Sequence, residues 1–262
     1  MNSDNPCIAG RLSNQVAIVT GATSGLGLAI AQRFLQEGAR VILTGIESEE
    51  GEAVASALGD KATYLHLDVR QVEDWQHVMA TVSADFGRLD ALVNNAGVTL
   101  MGSVEDVSIE DFDNSQAINT RGVFLGCRFA IEQMKSLKRG AIVNIASVSA
   151  FKPMPELVAY NASKAAVALM TQSIALHCGR SGYGIRCNSI NPGVIHTPML
   201  DKVVSQVEDG TALMDSYKAM HPIGRIGEPG EIASMAAYLC SDEAGFITGA
   251  AFNVDGGLGI NS

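Results

Sequence analysis

A chain of 262 residues with a 47% hydrophobic fraction can bury one sizeable α/β core, and its formal net charge of −10 argues against nucleic acid or an anionic membrane surface as a partner. Its longest basic run is the pair Lys138–Arg139. The five cysteines, Cys7, Cys127, Cys178, Cys187 and Cys240, have neither CxxC spacing nor a companion histidine pattern, so they read as free thiols in a reducing compartment and not as a metal site or disulfide framework.

In chain order, short apolar runs alternate with longer segments of helical period. The opening stretch "MNSDNPCIAGRLSNQ" has no charged, apolar leader, and no apolar run of about 18 residues follows, so the expectation is a cytoplasmic protein whose residues 1–12 are loose. The candidate strands are "QVAIVT", "ARVILT", "ATYLHL", "DALVNN", "GAIVNIAS", "IRCNSI" and "GAAFNVDGG". Their apolarity is continuous instead of alternating, which suits strands covered on both faces, and the helices between them make right-handed parallel crossovers the natural connection. The fold class expected is therefore α/β: one Rossmann domain spanning residues 1–262, a doubly wound parallel sheet of seven strands with helices on both faces. After the sixth strand the rhythm breaks in a long, Met-rich segment, and residues 198–226 are expected to form a small substrate lid.

Two short motifs carry chemistry. The first strand runs into "TGATSGLG", Thr20 to Gly27, and then into a helix. Gly21 permits a tight turn, Gly25 lets backbone approach a pyrophosphate, Gly27 allows close helix packing, and the amides at the helix start face the phosphates. The second motif is "YNASK". On a helix Tyr160 and Lys164 lie on one face a turn apart, and an ammonium beside a phenol favours phenolate. Ser147 ends the fifth strand thirteen residues earlier, at the sheet edge where ligands of open α/β sheets bind.

With "TGATSGLG", "NNAG" at Asn94 to Gly97, "YNASK" and "NPGVIHTP" at Asn191 to Pro198, the sequence resembles the short-chain dehydrogenases/reductases from residue 13 to residue 258. The run from "NIASVSA" to "NPGVIHTPM" is similar to the bacterial hydroxysteroid dehydrogenases of that family, including the 3β/17β type. The resemblance implies a catalytic tetrad in which Tyr160 is the acid/base, Ser147 hydrogen-bonds the substrate oxygen, Lys164 holds the nicotinamide ribose and depresses the tyrosine pKa, and Asn119 anchors a water in a proton relay. It implies a dinucleotide bound by Gly21, Ser24, Gly25, Leu26 and Gly27, with Asp68 and Val69 at the adenine. Asn95, Ala96 and Gly97 would line the ribose side. The backbone of Pro192, Gly193, Ile195 and Thr197 would hold the nicotinamide end. It also implies a homotetramer.

The cofactor choice turns on the end of the second strand. In NAD-preferring relatives an acid there meets the ribose 2′-hydroxyl, whereas this chain has Gly45. Neither the glycine loop nor "GIESEE" holds an arginine or lysine for a 2′-phosphate, and Glu47, Glu49 and Glu50 make the neighbourhood anionic. The expectation is NAD, held through the Gly45–Ile46 backbone, with NADP less favoured.

Toward the substrate, Ser149, Met154, Val158 and Met199, with Leu200, Val203, Leu213 and Met214 from the lid, would make an apolar pocket for a bulky lipophilic secondary alcohol or ketone, a hydroxysteroid among the candidates. The rival readings are a 3-oxoacyl thioester (acyl carrier protein) reductase and, from another class, a non-catalytic dinucleotide-sensing protein. His66, His77, His177, His196 and His221 show no metal spacing and no partner triad, so no metal is expected and the histidines read as packing or surface residues.

Overall fold

The computed structural model of the chain describes residues 10–205 and 207–261. Residues 1–9 of the expected loose N-terminus lie outside the described residues. At its inner end the expectation fails: Leu12 is buried in the core, and its N–H donates to the Glu37 carbonyl at 3.0 Å.

Each apolar run forms a strand: β1 Val16–Thr20, β2 Arg40–Gly45, β3 Ala62–His66, β4 Ala91–Asn94, β5 Gly140–Ile145, β6 Ile185–Pro192 and β7 Ala251–Val254. They pair in parallel in the order β3-β2-β1-β4-β5-β6-β7. Every residue of β1, β4 and β5 is buried, while edge strand β7 alternates exposed and half-buried residues. The apolar runs thus read correctly as strands covered on both faces.

The helices are α1 Gly25–Gln36, α2 Ser48–Leu58, α3 Val72–Phe86, α4 Ile109–Gln116, α5 Val123–Met134, α6 Val158–Arg180, α7 Pro198–Ser205, α8 Gly210–Met220 and α9 Pro229–Cys240. One face of the sheet packs Val19, Val41 and Val143 against Ile30 and Phe34 of α1 and Ile232 and Leu239 of α9. The other packs Ile18, Ile42 and Ile142 against Trp75, Met134 and Val167 of α3, α5 and α6. Among the described residues no helix is long and apolar enough to cross a membrane.

The strand order reverses between β1, whose other neighbour is β2, and β4. In doubly wound sheets the crevice for ligands opens beyond the carboxyl ends of the strands at such a reversal. The glycine loop leaves β1 there, and the "NNAG" segment leaves β4 beside it.

Candidate active site

A cavity of about 910 Å³ follows that edge from the end of β2 to α8. At its first bend Gly21 and Gly25 adopt φ of +61° and +55°, a region open to glycine, and a Cβ on Gly21 would stand 3.0 Å from the Cα of Ala96. Ser24 precedes α1 with an extended backbone and no capping hydrogen bond from its side chain, so the first amides of α1 stay free to meet an anion. Gly27 does not line the cavity. A Cβ there would meet the Gly21 carbonyl at 2.1 Å, so its role is the close packing of helix start on loop.

The loop is tied to the end of β4. Thr20 Oγ1 accepts from the amides of Asn95 and Ala96, each at 2.9 Å. Asn95 Nδ2 donates to the carbonyls of Thr20 and Gly21 at 2.9 and 3.0 Å. Asn95 therefore lines the cavity with an amide that already serves as a brace between two strand ends.

Just past β3, where the adenine is expected, Asp68 is held by a residue the sequence reading missed. The Arg70 guanidinium donates to Asp68 Oδ1 at 3.0 Å and to Oδ2 at 2.7 Å, and it holds the Asp68 carboxyl below its ordinary range. Asp68, Val69 and Arg70 all line the cavity. The only signal available in sequence was the i, i+2 placement of an arginine after an aspartate at a strand end. At the end of β2 the wall is Gly45, Ile46 and Glu47, with Tyr64 Oη donating to the Gly45 carbonyl at 2.7 Å. Among the described residues that line the cavity, Arg70 and Lys164 are the cations, the first paired with Asp68 and the second donating to the Ile145 carbonyl.

Ser147, Tyr160 and Lys164 meet midway along the cavity. Ser147 is buried just past β5 and accepts from the Ser149 amide at 3.1 Å. Lys164, 4% exposed, donates to the Ile145 carbonyl at 2.8 Å and sits 5.5 Å from the centre of the Tyr160 ring. Burial lowers the ammonium to about 8. Burial also pushes the Tyr160 phenol above its ordinary value, and the hydroxyls of Ser147 and Thr99 pull it only part of the way back. The expected depression of the phenol by Lys164 is absent in the protein alone. The ammonium is committed to a backbone carbonyl, and desolvation of the phenol outweighs the nearby hydroxyls.

Asn119 is a fourth, deeper member. It lies in a π-helical turn, Ala117–Gly122, between α4 and α5, and it is wholly buried instead of lining the cavity. Its Oδ1 accepts from the Val98 amide and its Nδ2 donates to the Val98 carbonyl, both at 2.9 Å, with Ser163 Oγ at 3.1 Å. A Cβ on Gly97 would stand 3.1 Å from Asn119 Oδ1 and 3.6 Å from Lys164 Nζ, which locates both groups behind one glycine. The π-turn is a common local device at functional sites and had no sequence signal in the apolar pattern.

Pro192, Gly193, Ile195 and Thr197, expected at the nicotinamide, line the same cavity. Ser149, Met154, Met199, Leu200, Val203 and Leu213 line it as well. Two anticipated contacts fail: Val158 and Met214 do not line the cavity, whereas Leu157 and Leu213 do. Each miss is one residue of helical phase, since neighbouring residues on a helix face directions about 100° apart. On α8 the inward residues are Leu213 and Tyr217, at i and i+4. Thr99, Tyr217 and Leu258 also line the cavity unforeseen. Leu258 comes from the chain's end, held by Lys152 Nζ donating to its carbonyl at 3.0 Å.

The sequence resemblances agree with this geometry. Residues 21–259 match the family described as enoyl-(acyl carrier protein) reductase. The NADP-dependent (R)-specific alcohol dehydrogenase of Lentilactobacillus kefiri is 42% identical, covering 94% of this chain and 97% of that protein. The 3-alpha-(or 20-beta)-hydroxysteroid dehydrogenase of Mycobacterium tuberculosis is 41% identical over 95% of this chain and 91% of its own. The 3-beta-hydroxysteroid dehydrogenase of Comamonas testosteroni is 39% identical over 95% and 97%. The ligand-free aldohexose dehydrogenase of Thermoplasma acidophilum superposes with a TM-score of 0.87 at 35% identity, covering 96% of each chain.

Proposed function

This chain belongs to the short-chain dehydrogenase/reductase family, as a hydride-transfer oxidoreductase of secondary alcohols and ketones that uses a nicotinamide cofactor, and from that premise we propose an NAD(H)-dependent dehydrogenase of bulky lipophilic substrates, hydroxysteroids among them. The cradle fits the dinucleotide. The left-handed turns at Gly21 and Gly25 and the free amides of α1 suit a pyrophosphate. The observation that carries the choice of NAD is the corner formed by Gly45, Ile46 and Glu47, which offers a carboxylate and no cation to the ribose 2′ position. It stands against the NADP dependence of the Lentilactobacillus relative.

When bound, the nicotinamide supplies the hydride chemistry. The chain supplies position and protons. Tyr160 delivers a proton to the carbonyl oxygen in reduction and removes it in oxidation, and Ser147 orients that oxygen without competing for the proton. Lys164 reaches the ribose, and its charge then favours the phenolate that burial alone opposes. Asn119 holds the segment at Val98 behind them.

The apolar wall of Met154, Leu157, Met199, Leu200, Val203 and Leu213 supports a lipophilic substrate. Residues 198–226 act as its lid. Leu169 and Leu176 stand 68% and 59% exposed along α6, an apolar face that supports assembly into a homotetramer, readable by light scattering. The buried free thiols Cys127, Cys178, Cys187 and Cys240 fit a reducing, cytoplasmic setting.

The test is initial rates with NADH and with NADPH against short aliphatic ketones, cyclic and steroidal ketones, and a 3-oxoacyl thioester. NADH consumption that is fastest on the large lipophilic ketones is expected. A preference for NADPH would overturn the reading of the Gly45 corner, and preference for the thioester would move the acyl reductase forward. Binding without turnover of any ketone would favour the sensor.

A further inference from the structure

Beside the Gly193–Ile195 segment lies a second, small hollow of about 300 Å³, and among its lining residues is His221, which the sequence pattern assigned to a packing or surface role. His221 follows the last residue of α8 and is 3% exposed. Its Nδ1 meets the Tyr217 carbonyl at 2.6 Å, and its Nε2 meets the Val194 amide at 3.2 Å. An amide N–H only donates and a carbonyl only accepts, so both contacts are satisfied by one form alone: the neutral ring with its proton on Nδ1. The surroundings are shaped around that ring. A Cβ on Gly193 would stand 2.8 Å from Nε2, and one on Gly256 would stand 3.4 Å from Cδ2.

The charged groups of the hollow are spent on one another or on backbone. Arg225 pairs with Glu231 at 2.7 and 2.9 Å, and Asp255 accepts from the amides of Gly257 and Gly259 at 3.0 and 2.9 Å. None of them replaces His221 as the acceptor for the Val194 amide.

Val194 sits inside the segment Gly193–Thr197 that walls the cavity, and Tyr217 projects from the lid into it. One imidazole therefore ties the end of α8 to the segment that walls the cavity. We propose that His221 is a positioning residue: as a neutral Nδ1–H imidazole it fixes the Val194 amide, holds the loop in the shape that receives the nicotinamide, and transmits lid position to that loop. This deepens the functional reading above and rests on it for the ligand, but not for the mechanical link.

The experiment compares wild type with His221→Phe and His221→Gln. Phenylalanine keeps the ring's volume and leaves the Val194 amide without an acceptor, while glutamine offers an oxygen near the place of Nε2 and rescues the contact. His221→Phe should raise the NADH Kd and KM about 10-fold, the cost of one buried amide left unpaired, with kcat changed little. His221→Gln should return most of that affinity. Hydrogen exchange over residues 193–197, read without any nucleotide, should quicken in His221→Phe and stay slow in His221→Gln. Melting curves identify a variant that fails to fold. Equal exchange in all three proteins, or equal loss of kcat and affinity in both variants, would overturn the proposal. Wild type that binds neither NADH nor NADPH, with the exchange difference intact, would overturn the cofactor reading and leave the link standing.

Discussion

The two walls of the cavity are built on different principles. One wall is drawn from the sheet edge and the start of α6, with Asn119 of the π-turn behind it: Asn119, Ser147 and Lys164 are all buried and all tied by hydrogen bonds to backbone. The lid wall buries Leu200 on α7 and nothing on α8, and it touches the opposite side through contacts such as Thr99 Oγ1 to the Met199 sulfur at 3.4 Å. Regular elements locked in a core fix atoms to within a fraction of an ångström, which proton transfer demands, whereas a thinly buried lid can adapt to the shape of a large substrate. The proposed function assigns chemistry to the first wall and selection to the second.

The sharpest way to break that division is Tyr160→Phe. It should lower kcat by about 10³-fold or more on every accepted substrate, since general acid/base catalysis contributes on the order of 10²–10⁴. NADH affinity, measured by fluorescence titration, should change by less than about 3-fold, because the ring and its packing remain. A loss that differed widely between substrates would mean that Tyr160 also selects them.

Lys164→Met tests what the rigid wall costs in stability. The ammonium is lowered from 10.5 to about 8 by burial, so the folded protein binds fewer protons than the unfolded chain between those values. Where the unfolded state holds more protons, stability rises with pH, so the burden of this charge is full below pH 8 and fades as pH approaches 10.5. It amounts to roughly 3 kcal/mol, partly offset by the bond to the Ile145 carbonyl, on the order of 1 kcal/mol. The variant should be inactive yet at least as stable as wild type at pH 7, with its advantage shrinking from pH 8 to pH 10. Reading the difference between the two proteins removes the opposing contribution of the buried thiols, whose raised values are common to both. A constant difference across that range would mean that Lys164 holds its proton equally in the folded and unfolded states, so that burial does not lower it.

The same contrast explains what could be read from the chain. The glycine loop, Ser147 and the Tyr160/Lys164 pair were legible because their functions demand fixed spacing on a strand end and a helix start, and those elements announce themselves by apolar runs and periodicity. Arg70 was not, because its hold on Asp68 depends on a turn that brings i and i+2 together. The upward push on Tyr160 was invisible because it comes from burial by residues far apart in sequence. On the lid, Met and Leu at helical spacing leave the phase undetermined, and Leu213 and Met214 were equally good candidates until the helix axis was known.

That ambiguity supplies the smallest and most discriminating prediction. Leu213 faces the cavity and Met214, its neighbour on α8, does not. Leu213→Ala removes apolar surface from the substrate side alone, so KM for the largest accepted ketone should rise about 10-fold, in keeping with the 1.5–3 kcal/mol carried by a fully buried leucine and reduced here by partial exposure. Values of kcat should stay within about 2-fold, since no group of the catalytic wall is touched. Met214→Ala should leave both constants within about 2-fold of wild type. If the methionine variant instead carried the larger effect, α8 would be rotated by about 100° when substrate is bound, and the lid would select by turning about its own axis as well as by closing.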